Sequence, residues 1–445
     1  MILKNGLVLI ENRIEPLDIE ILQGKISRIG KNLIGPEEID ISGKYVAPGA
    51  IDPHTHFNID VGVLSCDDFE SGSIAAACGG TTTIIDHPGF GPSGCSLMYM
   101  PEKYLKYGER SYIDYGLHGV AQEFNINTYG ELRALKSMGI NSFKVYLTYT
   151  YKQDDKSLLE FFALAKELNM VVAVHCENHE AIEHLRNRFK RENKLSPIYH
   201  SYSRPGDVEA EGISRVVRLA KVVEYDKLYL VHVSSKEALR EISILRKDGC
   251  KFFVETCTQY LYLDNRNYLL EDGVKYILSP PLREREDIKI LWEGIKKGEI
   301  DTIGTDHCSF YLEDKNRGKE DFTLCPNGIP GVEERNLILF SEVLNGKLSV
   351  EKYINLVALN SAKIFKMDGQ KGSIEVGKDG DLVVFTPENW TLTDDMVHSK
   401  CGYSVFNGKR LSCRVDKTIL RGKIIVDEGC FVGQNPEGRF IKGEN

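Results

Sequence analysis

The chain has 445 residues, of which 42% are hydrophobic and 27% are charged, and 65 acidic against 56 basic residues give a net charge of -9. This composition is typical of a globular protein, and the lack of a basic block argues against a nucleic-acid or anionic-membrane partner. The apolar runs are too short to span a bilayer. Eleven cysteines without a CxxC pair predict reduced thiols and a cytoplasmic location.

Both ends of the chain carry a β pattern. In residues 1–48, apolar and polar positions alternate between turn signals, which predicts a small antiparallel β unit. A similar pattern returns in residues 369–445, for example in KGSIEVGKDGDLVVF. Because neither piece has enough strands for a core of its own, we expect both to meet in one small β-sandwich.

Strand-like and helix-like segments alternate through residues 49–368. We expect helix caps at Asp67, Asp155 and Ser235. Eight strand–helix repeats predict an α/β fold, a (β/α)8 TIM barrel, with its active residues at the carboxyl ends of the strands. The predicted strands are 46–52, 81–86, 112–119, 140–146, 170–175, 228–233, 251–256 and 301–306.

Side chains that could bind or bridge metal close several of these strands. His54 and His56 lie two residues apart on one strand, so they face the same side and can chelate one ion. His175 and His232 can hold a second ion, and Asp306 supplies a carboxylate. A single histidine at a strand end is usually a core residue. Four of them together with an aspartate make a metal site the better interpretation.

Lys144 is the unusual member of this set. It lies inside SFKVY, where a strand residue that points into a barrel should be apolar, and burial of an unpaired ammonium is costly. Two nearby cations would favour the neutral amine, which can add carbon dioxide and bridge both metals as a carbamate. Alternatively, Lys144 pairs with an acidic residue at the barrel mouth. Spacing alone does not separate these two interpretations.

The other histidines and the neighbouring cysteines are given structural interpretations. We expect His87 and His307 to support the ligands, and Cys176, Cys257 and Cys308 to be structural thiols. The remaining histidines are interpreted as structural: His118, His179, His184, His200 and His398.

Longer motifs around these residues resemble the dihydropyrimidinase and D-hydantoinase family of cyclic amidohydrolases, the D-phenylhydantoinases in particular. The resemblance covers nearly the whole chain. It is carried by GAIDPHTHFNIDVG, AAACGGTTTIIDH, NSFKVYLTY, ETCTQYLYLD, LSPPLR, GTDHCSF and CPNGIPGVEER.

The resemblance implies a centre of two divalent metal ions, zinc by preference, in which carboxylated Lys144 and a hydroxide bridge the ions. Tyr149 would donate a hydrogen bond to the substrate oxyanion, and Ser279 and Asn327 would hold the ring amides through backbone atoms. Loops near 58–66 and 150–152 would shape the pocket. One ion would be bound by His54, His56 and Asp306, and the other by His175 and His232.

The implied reaction is hydrolysis of the cyclic amide of a hydantoin or dihydropyrimidine to an N-carbamoyl amino acid. Asp306 would carry the proton from hydroxide to the departing nitrogen. The resemblance also implies a homotetramer or dimer. The alternatives are an allantoinase or another cyclic ureide hydrolase and, from a different class, a non-catalytic structural homologue.

Four positions depart from related motifs. Cys176 and Thr258 differ from the residues usual in the family, and SVFNG replaces a common SPYEG-like stretch at 404–408. Asn58 stands where dihydroorotases carry an arginine that holds a carboxylate, so an acidic substrate such as dihydroorotate loses support.

Overall fold

A computed structural model of the protein describes residues 1–443. The chain begins with five strands that belong to one sheet. Strand β1 pairs antiparallel with β2 and parallel with β4 and β5, and β3 extends the sheet beside β2. These strands are β1 (Ile2–Ile10), β2 (Arg13–Leu22), β3 (Lys25–Gly30), β4 (Glu38–Asp40) and β5 (Tyr45–Pro48).

Parallel strands then form a barrel. They are β6 (Ala50–Thr55), β7 (Thr81–Asp86), β8 (Asp114–Leu117), β9 (Gly119–Val120), β10 (Ser142–Tyr146), β11 (Val171–His175), β12 (Leu228–Leu230), β13 (Phe253–Cys257) and β14 (Thr302–Gly304). Only His118 separates β8 from β9, so residues 1–443 contain eight barrel strands. The barrel closes where the Asp306 N–H donates to the His54 carbonyl over 2.9 Å.

Helices alternate with the barrel strands, and a π-helical turn, Asn355–Leu359, joins the last two of them. The helices are α1 (Phe69–Cys78), α2 (Tyr99–Gly108), α3 (Thr128–Ser137), α4 (Asp155–Leu168), α5 (His179–Arg191), α6 (Ile198–Tyr202), α7 (Gly206–Val222), α8 (Lys236–Lys247), α9 (Arg285–Lys297), α10 (Leu312–Lys315), α11 (Glu334–Leu344), α12 (Val350–Ile354) and α13 (Asn360–Ile364).

Two of the three predicted helix caps were wrong by one residue. Asp68 caps α1 and Asp154 caps α4, because their side chains accept the N–H three residues ahead. Asp67 is buried instead against His307. Ser235 caps α8 as predicted.

The C-terminal strands complete the first sheet. They are β15 (Leu382–Thr391), β16 (Arg410–Leu420), β17 (Lys423–Asp427) and β18 (Cys430–Phe431), and β15 pairs antiparallel with β5. The Gly380 N–H donates to the Gly24 carbonyl over 2.8 Å, so turns from the two ends of the chain also meet. Apolar side chains of both ends share one core. The predicted fold class, a barrel with a small β-sandwich built from both termini, is confirmed.

The predicted strand 46–52 was wrong as a single strand, because the chain leaves the sheet and enters the barrel at Gly49. The Gly49 N–H donates to the Asp381 carbonyl over 2.9 Å. A β-carbon at this position would lie 2.2 Å from the Thr82 hydroxyl oxygen, so only glycine fits the crossing. Across residues 1–443, no helix combines the length and apolarity needed to cross a bilayer.

Candidate active site

The six predicted metal-binding positions meet at the carboxyl ends of the barrel strands. His54 lies in β6, Lys144 in β10, and His175 is the last residue of β11. His232 and Asp306 each follow a strand by two residues and adopt left-handed φ angles of 42° and 53°. Such angles are strained for residues other than glycine and cluster at functional sites. His56 follows β6.

His54, His56 and Asp306 form the tighter half of the site. One Asp306 carboxylate oxygen lies 3.1 Å from the Nε2 atom of each imidazole, and the three possible ligand atoms lie within 4.8 Å of one another. The other ring nitrogen of His54 lies 2.6 Å from Glu255, and that of His56 lies 3.0 Å from the carbonyl of His87. Both rings therefore present Nε2 to the same point.

The electrostatics of this half suit a cation. Burial raises the pKa of Asp306, but the imidazoles of His54 and His56 outweigh burial and hold the pKa well below its ordinary value. Burial lowers the pKa of His56 to about 4, so this ring is a neutral ligand near pH 7. The carboxylates of Glu255 and Asp306 raise the pKa of His54 despite its burial. Imidazoles beside an ionised carboxylate form a donor set that zinc accepts.

Lys144 lies within this cluster without an acidic partner. Its Nζ atom is 2.9 Å from Nε2 of His54, the side chain is buried, and no carboxylate oxygen in residues 1–443 comes within 4.0 Å of Nζ. Burial lowers the pKa of Lys144 to about 8. This geometry counts against the interpretation of Lys144 as one partner of an ion pair and leaves an amine that loses its proton readily.

His175 and His232 form the second half, with ring centroids 4.5 Å apart. His175 Nε2 lies 2.8 Å from Glu177, whose carboxylate also accepts from Arg204 over 2.5 Å, so the ring presents Nδ1 to the site. The His232 ring is buried, and neither of its nitrogens has a hydrogen-bond partner within residues 1–443. A buried imidazole without partners is rare, and a bound metal ion would satisfy it.

A cavity of about 460 Å³ opens above both halves. Tyr149, Ser279 and Asn327 all line it, and the Tyr149 ring centroid lies 5.2 Å from that of His175. Burial raises the pKa of Tyr149 to about 12, so its hydroxyl stays protonated and can donate a hydrogen bond at neutral pH. Tyr149 also has a left-handed φ angle of 70°.

One wall of the cavity is apolar. Ile59 and Val61 come from the loop at 58–66, Tyr151 comes from the loop at 150–152, and Phe90 packs against Tyr151 with ring centroids 4.9 Å apart. Val61 is 51% exposed, although it lines the cavity. The two loops expected to shape the pocket therefore both contribute to it.

The supporting histidines take different positions. The His87 ring packs 4.3 Å from the His54 ring and stacks on His118 at 3.8 Å, whereas His307 bonds Asp67 over 3.1 Å. His179, His184, His200 and His398 lie outside the metal-ligand cluster, and none of the described cysteines forms a disulfide. Cys308 and Cys325 both line the cavity.

The acidic residues that orient the ligands were not predicted from the sequence. Glu255 bonds His54 and also accepts the backbone N–H of His232 over 2.9 Å, while Glu177 bonds His175. A carboxylate inside an apolar strand, as in FFVETC, or two residues after a ligand, as in HCE, was the available signal. Metal-binding histidines commonly donate their other N–H to such groups.

Comparison with known proteins places the chain in a family. Residues 45–425 match the amidohydrolase family. The chain is 41% identical over 450 residues to a D-phenylhydantoinase of Escherichia coli O1:K1, and the match covers 99% of this chain and 98% of that protein.

Solved structures agree over the whole length. The chain is similar to the dihydropyrimidinase from Brevibacillus agri, with 36% identity, a TM-score of 0.96 and coverage of 100% and 98% of the two chains. It is also similar to the L-hydantoinase (dihydropyrimidinase) from Arthrobacter aurescens, with 28% identity, a TM-score of 0.90 and coverage of 99% of each chain. The chain belongs to the amidohydrolase family, in the group that contains the D-hydantoinases and dihydropyrimidinases.

Proposed function

We propose that this protein is a cyclic amidohydrolase that opens a ureide ring, a hydantoin or dihydropyrimidine, to an N-carbamoyl amino acid. The observation that carries the proposal is the single cavity in which the strand-end ligands, Tyr149 and the loops of Ser279 and Asn327 meet. In a chain 41% identical to a D-phenylhydantoinase, this arrangement favours a cyclic ureide as the substrate.

The site residues fit two divalent ions, and their imidazole and carboxylate donors favour zinc. His54, His56 and Asp306 would hold one ion, His175 and His232 the other, and a carboxylated Lys144 would join them. The orphaned His232 ring and the amine of Lys144, which lacks an acidic partner, support this assignment. When bound, the ions would polarise the ring carbonyl and make water more acidic.

The residues of the chain transfer the proton, stabilise the oxyanion and position the ring. Water adds to the ring carbonyl carbon, and Asp306 accepts its proton. The Tyr149 hydroxyl donates to the oxyanion that develops. Asp306 then gives the proton to the ring nitrogen as the carbon–nitrogen bond breaks. Backbone groups of Ser279 and Asn327 hold the ring amides, and the loop residues Ile59 to Val61 contact the ring substituent.

Tyr149→Phe tests the role of the oxyanion donor. The variant should lose roughly 10²–10³-fold in turnover, the usual effect of removing one such donor, and should keep its full metal content. Tyr129→Phe is the matched control, because it also removes a phenol hydroxyl, which in Tyr129 bonds Glu167 on the surface. A Tyr149→Phe variant with the turnover of the unchanged protein would remove this residue from the mechanism.

A substrate panel tests the function itself. We expect hydrolysis of phenylhydantoin or dihydrouracil, with chiral analysis of the product reporting stereopreference. Hydrolysis of allantoin alone would support the alternative, an allantoinase.

A metal analysis separates an enzyme from a non-catalytic homologue. We expect about two ions per chain, whereas a protein without metal and without activity would be a non-catalytic homologue. We further propose a cytoplasmic homotetramer or dimer, which sedimentation can test.

A further inference from the structure

Lys315 is a buried lysine next to the cavity that the mechanism leaves unused. It ends α10, is fully buried, and its Nζ atom donates to the carbonyl oxygens of Ile277, Pro326 and Gly328 over 2.6, 2.9 and 2.8 Å. Three acceptors require three N–H groups, which only the ammonium form possesses. In residues 1–443 no carboxylate lies within 4.0 Å of this nitrogen, so three carbonyl oxygens and the neighbouring Cys325 side chain surround the charge.

Such an arrangement is costly. A buried charge without an opposite charge loses its hydration and is usually avoided. Burial lowers the pKa of Lys315, which reflects this cost. The ammonium thereby links the segment at 277 to the loop at 326–328.

The loop at 326–328 leaves one residue with free backbone groups. The carbonyls of Pro326 and Gly328 accept from Lys315, and the Gly328 N–H donates to the Ile277 carbonyl over 3.0 Å. The peptide units on both sides of Asn327 are therefore fixed. Within residues 1–443, neither the N–H nor the carbonyl of Asn327 itself bonds a protein group, and Asn327 lines the cavity.

Ser279 repeats this pattern on the facing segment. The Leu278 carbonyl accepts from His200 over 2.7 Å, and the Pro280 carbonyl accepts from the Tyr260 hydroxyl over 2.7 Å. No protein group of the described chain bonds the backbone N–H or carbonyl of Ser279, which also lines the cavity. Ser279 is buried and Asn327 is partly buried. Buried backbone groups are nearly always paired, so the unpaired groups of these two residues on one cavity wall indicate a ligand that supplies both donors and acceptors.

We infer that Lys315 is a positioning residue for ring recognition, which holds the Asn327 loop against the Ser279 segment so that their free N–H and carbonyl groups match the amide groups of a cyclic ureide. This inference rests on the proposed function. Lys315 acts through the two backbone segments and does not contact the ring.

The test compares Lys315→Met and Lys315→Gln with the unchanged protein on dihydrouracil. Loss of the ammonium should misplace one or two ring hydrogen bonds and raise KM roughly ten- to hundredfold in Lys315→Met, with metal content unchanged and kcat within about threefold. Lys315→Gln keeps N–H donors for part of the carbonyl set and should fall between. Lys275→Met is the matched control, because Lys275 lies on the same segment but pairs with Asp272 over 2.6 Å; its KM should not change.

A second substrate separates ring recognition from a general structural role. Methylation of one amide nitrogen removes one hydrogen-bond donor from the ring. On this methylated ring, Lys315→Met should raise KM by a smaller factor than it does on dihydrouracil. An equal rise in KM on both rings, or an unchanged KM in an active Lys315→Met variant, would overturn the role of Lys315. Either result would leave the proposed function standing. If Lys315→Met does not fold, the same two outcomes in Lys315→Gln decide. An unchanged protein that opens no ureide ring would remove both the proposed function and this inference.

Discussion

Two buried lysines in different regions of the molecule have opposite environments. Lys371 lies where the barrel meets the terminal sheet and donates to Asp114, Asp379 and Asp381 over 2.5, 2.8 and 2.5 Å. Lys144 lies at the barrel mouth among imidazoles, with no carboxylate within 4.0 Å in the described chain. Neighbouring carboxylates raise the pKa of Lys371 despite its burial, whereas burial lowers the pKa of Lys144 to about 8.

The difference separates a structural lysine from a chemically available one. Three carboxylates keep the Lys371 ammonium charged and tie β8 to the segment before β15. Lys144 instead lies where a charge is unfavourable, so its neutral amine is accessible near neutral pH. Burial alone therefore does not distinguish the two lysines. The identity of the groups around each amine does.

Lys144→Ala should give the largest effect. Loss of the bridging group should remove at least one metal ion and lower turnover by more than about 10³-fold, beyond the 10–100-fold typical when a residue that only orients a ligand is lost. Metal analysis and steady-state rates measure this, and a short carboxylic acid such as propionate should restore part of the activity. A variant that keeps both ions and full turnover would contradict the bridging role.

Lys371→Met should weaken the fold and leave the chemistry intact. Removing the ammonium leaves buried carboxylates uncompensated, which typically costs about 3–5 kcal/mol in the free energy of unfolding. Urea denaturation measures the loss, and turnover per folded, metal-loaded chain should not change. A loss of turnover without a loss of stability would reverse the roles assigned to the two lysines.

Lys144→Met should stabilise the metal-free protein, whereas Lys371→Met should destabilise it. A pKa of about 8 in place of 10.5 corresponds to roughly 3 kcal/mol of destabilisation at pH 7, which an apolar side chain relieves. Because the unfolded chain still binds the proton between pH 8 and 10.5, the stability of the unchanged protein should rise with pH across that window. Urea denaturation at several pH values measures both the higher stability of Lys144→Met and the rise in stability of the unchanged protein with pH. Equal stability of the two proteins at pH 7 would argue against the lowered pKa.

Glu255→Gln should have the smallest effect of this series. Glu255 bonds His54, which contacts Lys144, so its loss should weaken metal binding about 10–100-fold without emptying the site. Competition with a chelator measures the affinity. Glu241→Gln is a suitable control, since Glu241 of α8 accepts a hydrogen bond from Ser214 of α7 and is not one of the groups that bond the ligands. Unchanged metal affinity in Glu255→Gln would show that His54 needs no carboxylate to orient it.

The sequence predicted which residues lie at the strand ends, but it did not predict the groups that surround them. His54 and His175 could be placed because each lies at the end of a predicted strand, and Lys144 because it is a charged residue inside one. Chain order determines which strands are adjacent. The division of 46–52 at Gly49 depends on a close approach to Thr82 that no local pattern reveals.

The polar groups that support the site could not be placed from the sequence in the same way. Arg204 reaches Glu177 from 27 residues away, and Lys315 reaches Ile277 from 38 residues away. Their partners are set by how loops pack over the barrel, and loop packing has no periodicity. Whether Lys144 pairs with an acidic residue likewise depends on the surroundings of the amine, which only the folded structure supplies.

The central claim, that Lys144 carries carbon dioxide between two metal ions, is tested most directly by ¹³C NMR. Protein reconstituted with zinc and ¹³C-labelled bicarbonate should show a carbamate resonance that is absent in Lys144→Ala and retained in Lys371→Met. A zinc-loaded, active protein without any carbamate resonance would contradict the account.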